Sequence, residues 1–127
     1  MRYKLIVRPR DDQPYYPRLT AAEAARISLE LMRRAEDAYL VQAKPAFGGI
    51  QGYSLADIDE LARIRRLRED LGLDMRAVEV VLRMRWRTLD LMAQLDKMER
   101  QMRRREQQLQ QELQQLRRRL AEEADYQ

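Results

Sequence analysis

The chain has 127 residues, enough for one domain and an extension. With 36% charged and 6% aromatic residues it can bury only a modest core and must expose long polar helical faces. It has 25 basic and 21 acidic side chains, a net charge of +4 with both signs interleaved, which leaves nucleic-acid binding open without requiring it.

Cysteine and histidine are both absent, which excludes disulfides, thiolate or imidazole metal ligands, and Ser-His-Asp or Cys-His catalysis. No cofactor is expected. No apolar run approaches the roughly 20 residues of a membrane span. The opening MRYKLIVRPRDD lacks a long apolar core and a small-residue cleavage site. A cytoplasmic protein is the expectation.

Tyr3 to Val7 is a short β-prone run ended by Pro9. Pro9, Pro14 and Pro17 predict a helix-free linker from Arg8 to Arg18. Thr20-Ala21-Ala22-Glu23 has the pattern of a capping box and predicts a short helix to about Arg26. Ser28 predicts the cap of a second helix to about Tyr39, with Leu31, Met32, Ala35, Leu40 and Val41 supplying an apolar face. Gln42 to Tyr53 holds Pro45 and three of the four glycines. It is the loop of the domain, and Gly48-Gly49 can take the positive φ of a tight turn.

Ser54-Leu55-Ala56-Asp57 is a second capping box. After it, Leu55, Ile58, Leu61, Ile64, Leu67 and Leu71 form an amphipathic stripe at spacings of three and four. Gly72 suits the left-handed residue that ends a helix, and Asp74 can cap the next one from Met75. The expected core is Ile58, Leu61, Ile64, Leu67, Leu71, Val78, Val81 and Leu82.

From Ala77 to Ala124 no Pro or Gly interrupts the pattern, a helix of roughly 70 Å. Leu91, Leu95, Met98 and Met102 make one seam and Leu109, Leu113, Leu116 and Leu120 a second. Arg103 to Gln108, without an apolar residue, separates them and predicts a phase shift in a coiled coil. Leu95, Met98, Met102, Leu109, Leu113, Leu116 and Leu120 are the expected homodimer contacts.

The stretch GYSLADIDELARIRRLREDLGLDMRAVEVVLRM, Gly52 to Met84, has the order cap, helix, Gly-Leu-Asp break, helix. It resembles the second half of a MerR-type winged-helix module. Its Leu71-Gly72-Leu73-Asp74 junction and its Val78 to Leu82 run are similar to CbpM-type chaperone modulators and to HspR-type repressors. The YKLIVRPR opening is also similar to many CbpM-type chains. The first half fits the pattern V-S-x-x-x-L-R-x-x-E-x-x-G-L with Ile27-Ser28, Met32-Arg33, Glu36 and Tyr39-Leu40.

Three departures stand out. The turn before Ser28 is about three residues short. Tyr39 replaces a Gly. The wing carries Gln51-Gly52-Tyr53-Ser54 where DNA-binding members carry R-x-Y-S.

The resemblance implies a mostly α fold: a MerR-like winged helix-turn-helix domain over 19–88, preceded by a strand and linker over 1–18, and a coiled-coil dimerisation helix over 89–127. It implies a non-enzymatic chaperone modulator that binds the J-domain of a DnaJ/CbpA-type co-chaperone and restrains its stimulation of the partner chaperone. The alternative it implies is an HspR-like DNA-binding transcriptional regulator. A third possibility is a structural coiled-coil adaptor.

Each candidate residue has a functional and a plain role. Asp57, Asp59, Glu60, Glu69 and Asp70 can meet the basic helix of a J-domain, or serve as caps and i,i+4 partners of Arg63 and Arg66. Arg33, Arg34, Lys44 and Gln51 can touch DNA, or form a solvated helix face and loop. Trp86 is an interface anchor or a base stacker. Arg83, Arg85 and Arg87 alternate and so share no helix face. Arg103–Arg105 and Arg117–Arg119 can bind nucleic acid or anionic lipid, or line solvated coiled-coil faces. No membrane partner is expected.

Overall fold

The computed structural model describes residues 12–125; the expected Tyr3–Val7 strand lies outside them. The described chain is mostly helical, with a small two-stranded sheet and a long C-terminal helix. It divides into two units at Arg83 and Met84.

In the first unit, α1 spans Arg18–Ala25 and α2 spans Leu29–Asp37. The strands β1 (Lys44–Pro45) and β2 (Gln51–Gly52) pair antiparallel, Lys44 opposite Gly52 and Pro45 opposite Gln51, across a 3₁₀ turn at Phe47–Gly49. Helix α3, Leu55–Arg65, continues into a π-helical turn at Arg66–Asp70. Helix α4 starts in this unit and runs unbroken over Met75–Asp125.

Helix α1 does not begin at a Thr20 cap. It begins at Arg18, with Pro17 extended at the N-cap position and no side-chain cap. Proline holds its φ near the helical value before the helix opens, and its carbonyl accepts the Ala21 amide at 2.9 Å. Thr20 therefore lies inside the first turn, and Arg18 belongs to the helix rather than the linker.

The other caps follow the sequence. Ser28 accepts the Leu31 amide at 3.1 Å. Ser54 accepts the Asp57 amide at 3.1 Å while Asp57 accepts the Ser54 amide at 2.9 Å. Asp74 accepts the Ala77 amide at 2.8 Å. Gly72 takes φ 67°, and Gly48 and Gly49 take 73° and 76°.

Both α1 and α2 end on a left-handed residue that is not glycine: Arg26 at φ 58° and Tyr39 at φ 59°. In each, the two amides at and after that residue fold back onto the last turn. Tyr39 bonds Glu36 and Leu40 bonds Ala35; Arg26 bonds Glu23 and Ile27 bonds Ala22. These bonds satisfy carbonyls the helix would otherwise leave open. Tyr39 thus adopts the conformation of the glycine it replaces.

Helix α3 packs on α1 and α2. The core holds Ala21, Ala22, Ala25, Leu31, Met32, Ala35, Leu40, Val41, Ile58, Leu61, Ile64, Val78 and Leu82. Two expected core positions are exposed instead. Leu71 is 68% exposed because it follows the π turn, whose Leu71 N–H to Arg66 carbonyl bond spans five residues and shifts the apolar face. Val81 is exposed because only Val78 and Leu82, one turn apart, face inward. Leu67 is half-buried.

Candidate functional site

The first unit is tied together by a cluster that composition does not announce. Arg18 on α1 donates from Nε and Nη2 to Glu36 Oε1 on α2, at 3.0 and 2.6 Å. Tyr53, directly after β2, donates its hydroxyl to Glu36 Oε2 at 2.9 Å. Both carboxylate oxygens are engaged, one by an ion pair and one by a buried phenol. Tyr53 is only 2% exposed. Burial first, then the Glu36 carboxylate it donates to, pushes its ionisation up to about 12. The same contact to Glu36 raises Arg18 further above its already high value. The arrangement locks α1, α2 and the hairpin to one another.

The hairpin is seated by backbone as well. Tyr16 and Tyr53 exchange amide-to-carbonyl bonds of 3.0 and 2.7 Å, so the Pro14–Pro17 segment lies beside β2. At Gly52 an added Cβ would come 2.6 Å from the Pro14 carbonyl oxygen.

The candidate residues of the two competing functions meet in one ion pair. Lys44 on β1 reaches both oxygens of Asp57 at 3.5 Å, and Asp57 is at the same time the capping residue of α3. Arg34 pairs with Glu30 at 3.6 Å, while Arg33 is exposed on α2. Gln51 is exposed on β2 opposite Pro45.

Among the acidic candidates, Glu60 pairs with Arg63 at 2.8 Å and Glu69 with Arg65 at 3.8 Å. Asp59 and Asp70 are exposed. Asp57, Asp59 and Glu60 lie in the first turns of α3. Glu69 and Asp70 lie in the π turn that follows it, on the order of 15 Å away along the axis, so the five form two clusters and not one patch.

Two concave surfaces accompany these residues. An open, polar groove of about 540 Å³ is lined by Ser28, Glu30, Leu31, Arg34, Arg68 and Glu69. A smaller one, about 290 Å³, lies at Pro14, Tyr15, Pro45 and Ala46 by the hairpin. The first is lined by two acidic and two basic side chains, Glu30, Glu69, Arg34 and Arg68; the second by no acidic or basic one. Among the described residues no group of three or more Asp or Glu is placed to hold a metal ion, and no helix is long and apolar enough to cross a membrane.

Arg18 and Tyr53 were not singled out by sequence. Pro17 directly before a helix-forming run is the signal for where α1 starts, and hence for Arg18 as a first-turn residue. Tyr53's partner lies 17 residues away on another element, and no local pattern reports it.

The dimerisation candidates all lie on the second unit's helix with their side chains in solvent. Leu95, Met98 and Met102 are 59 to 70% exposed, as are Leu109, Leu113, Leu116 and Leu120 at 52 to 66%. Trp86 is half-buried.

Scanning the chain against protein-family models, curated proteins and solved structures finds no match in any of the three.

Proposed function

We propose that this chain is a non-enzymatic regulator, a CbpM-like chaperone modulator. In this proposal it acts in the cytoplasm as a homodimer and binds the J-domain of a DnaJ/CbpA-type co-chaperone. The proposal rests on the resemblance of Leu19 to Leu82 to the MerR-type module, and one observation gives it preference over DNA binding. At the hairpin, where a DNA-binding relative would hold phosphate, Lys44 is paired with Asp57 and Gln51 carries no charge. Phosphate neutralisation supplies most of the affinity of a protein for DNA. A hairpin without free positive charge is a poor phosphate clamp and remains usable as a protein-binding edge.

The DNA-binding regulator is the second reading, supported by exposed Arg33 on α2. Calorimetry of the full chain against each J-domain encoded in the same genome separates the two. The expected outcome is micromolar binding to one of them, weakened by charge reversal of Glu69 and Asp70 together. Silence toward every J-domain at about 100 μM would end the modulator proposal. Recovery of a palindromic site from random DNA, bound at about 10⁻⁸ M or tighter, would install the repressor in its place.

A further inference from the structure

Eight apolar side chains of α4 obey a rule that a heptad does not describe. Leu91, Leu95, Met98 and Met102 recur as Leu109, Leu113, Leu116 and Leu120, each 18 residues further on (109 − 91). Helix α4 is α-helical through this whole stretch, with no π turn or kink between the two quartets. Eighteen residues at 3.6 per turn are five whole turns, so the second quartet lies directly in line with the first. At 100° per residue all eight side chains fall within about a 60° sector. The polar hexapeptide Arg103 to Gln108 interrupts the run of apolar residues but not the face.

We infer that this single straight stripe, from Leu91 to Leu120, is the surface on which a second copy of the chain docks, and that the two helices pair with little supercoil. The inference rests on the homodimer part of the proposed function and gives it a geometry. A repeat of 3.5 residues per turn would wind the pair left-handed and one of 3.67 right-handed; 18 residues in five turns is neither.

Two features point to a second copy as the occupant. The spacings along the stripe, 4-3-4-7-4-3-4, are the same from either end, so two copies match layer on layer in either polarity. Its borders carry both signs, Glu99, Glu106 and Arg117 on one side and Arg105, Glu112 and Arg119 on the other, so no column of like charge opposes pairing. A stable interface removes about 800 Å² from each partner. Eight half-exposed Leu and Met side chains along roughly 45 Å of helix offer surface of that order.

The test is a pair of insertions in the full chain between Arg105 and Glu106. Two alanines turn the second quartet by about 200°, to the far side of the helix, while four alanines turn it by only about 40°. Sedimentation equilibrium reads self-association and circular dichroism confirms that each variant keeps its helix content. The two-residue insertion is expected to weaken the dimer at least tenfold, and the four-residue insertion to leave it within about threefold of the parent. A parent dimer weakened equally by both insertions, or by neither, would overturn the single-stripe geometry. A monomeric parent would overturn the homodimer itself.

Discussion

Tyr53 is a titratable side chain held almost wholly out of water. Its hydroxyl is neutral and donating in the fold, with ionisation displaced from the ordinary 10.0 up to about 12. An unfolded chain ionises this tyrosine near pH 10, so the fold's preference for the neutral form stabilises it fully below that pH. That contribution is lost as the pH climbs from about 10 toward 12, by up to about 1.4 kcal/mol per pH unit. Urea midpoints of the parent and Tyr53→Phe between pH 8 and 11.5 should therefore converge as the pH rises. At pH 8 the Phe variant is expected to be weaker by about 1–3 kcal/mol, because Glu36 Oε2 loses its donor. Curves that stay parallel would mean that Tyr53 is not held neutral by the fold. Tyr39 carries the opposite lesson. It is 75% exposed, takes φ 59° and so gives up backbone energy without burying its ring. Tyr39→Gly is expected to stabilise the domain by about 0.5–1 kcal/mol, a gain visible as a higher melting temperature.

At the scale of elements, α3 is the strut of the first unit. Its start is set by the Ser54–Asp57 capping box and its inner face by Ile58, Leu61 and Ile64, all buried. Leu61 is fully enclosed, so Leu61→Ala should cost about 2–5 kcal/mol. An unchanged denaturation midpoint would contradict that burial. Beyond Arg65 the helix widens into the π turn, which ends the stripe at half-buried Leu67, about one turn earlier than its periodicity implies, and puts Leu71 in solvent. The hairpin depends on Gly52 for space and on Gly48 and Gly49 for their positive φ, since the turn glycines have open room around them but a left-handed backbone. Gly52→Ala must push the Pro14 backbone aside, at about 1–3 kcal/mol, and the Tyr16–Tyr53 amides should then lose hydrogen-exchange protection. Protection equal to the parent's would show that the segment yields freely.

At the scale of the whole molecule the question is what covers α4. Each Leu of the stripe that becomes buried should contribute a few kcal/mol. Truncation after Met92 removes seven of the eight stripe residues and is expected to give a monomer in light scattering at tens of micromolar, where the proposed homodimer requires the full chain to be a dimer. A full chain that is itself monomeric there would remove the homodimer proposal. The long helix also sets what charge can do. Arg103, Arg104 and Arg105 lie among Glu and Gln, and Arg103 reaches Glu99 only at 4.0 Å with both side chains largely in water. Such a pair is screened by salt, so changing Arg103 and Arg104 should leave the proposed J-domain binding untouched.

The sequence alone determined what depends on neighbours along the chain. The caps at Ser28, Ser54 and Asp74, the break at Gly72, the glycine turn of the hairpin and the unbroken helix from Met75 all follow from contacts within a few residues. So do the two apolar seams of α4, but the unbroken helix puts them in line and not out of phase as the polar hexapeptide suggested. The tertiary structure alone decided what depends on residues far apart. Arg18, Glu36 and Tyr53 come from three elements, and Gly52 is constrained by Pro14 across the sheet edge. The pairing of Lys44 with Asp57 likewise joins two positions that local pattern assigned to different partners. A cap or a period is satisfied within one turn of helix. A half-buried carboxylate or a close backbone approach is satisfied only by whatever the folded chain brings alongside, and no spacing in the sequence carries that information.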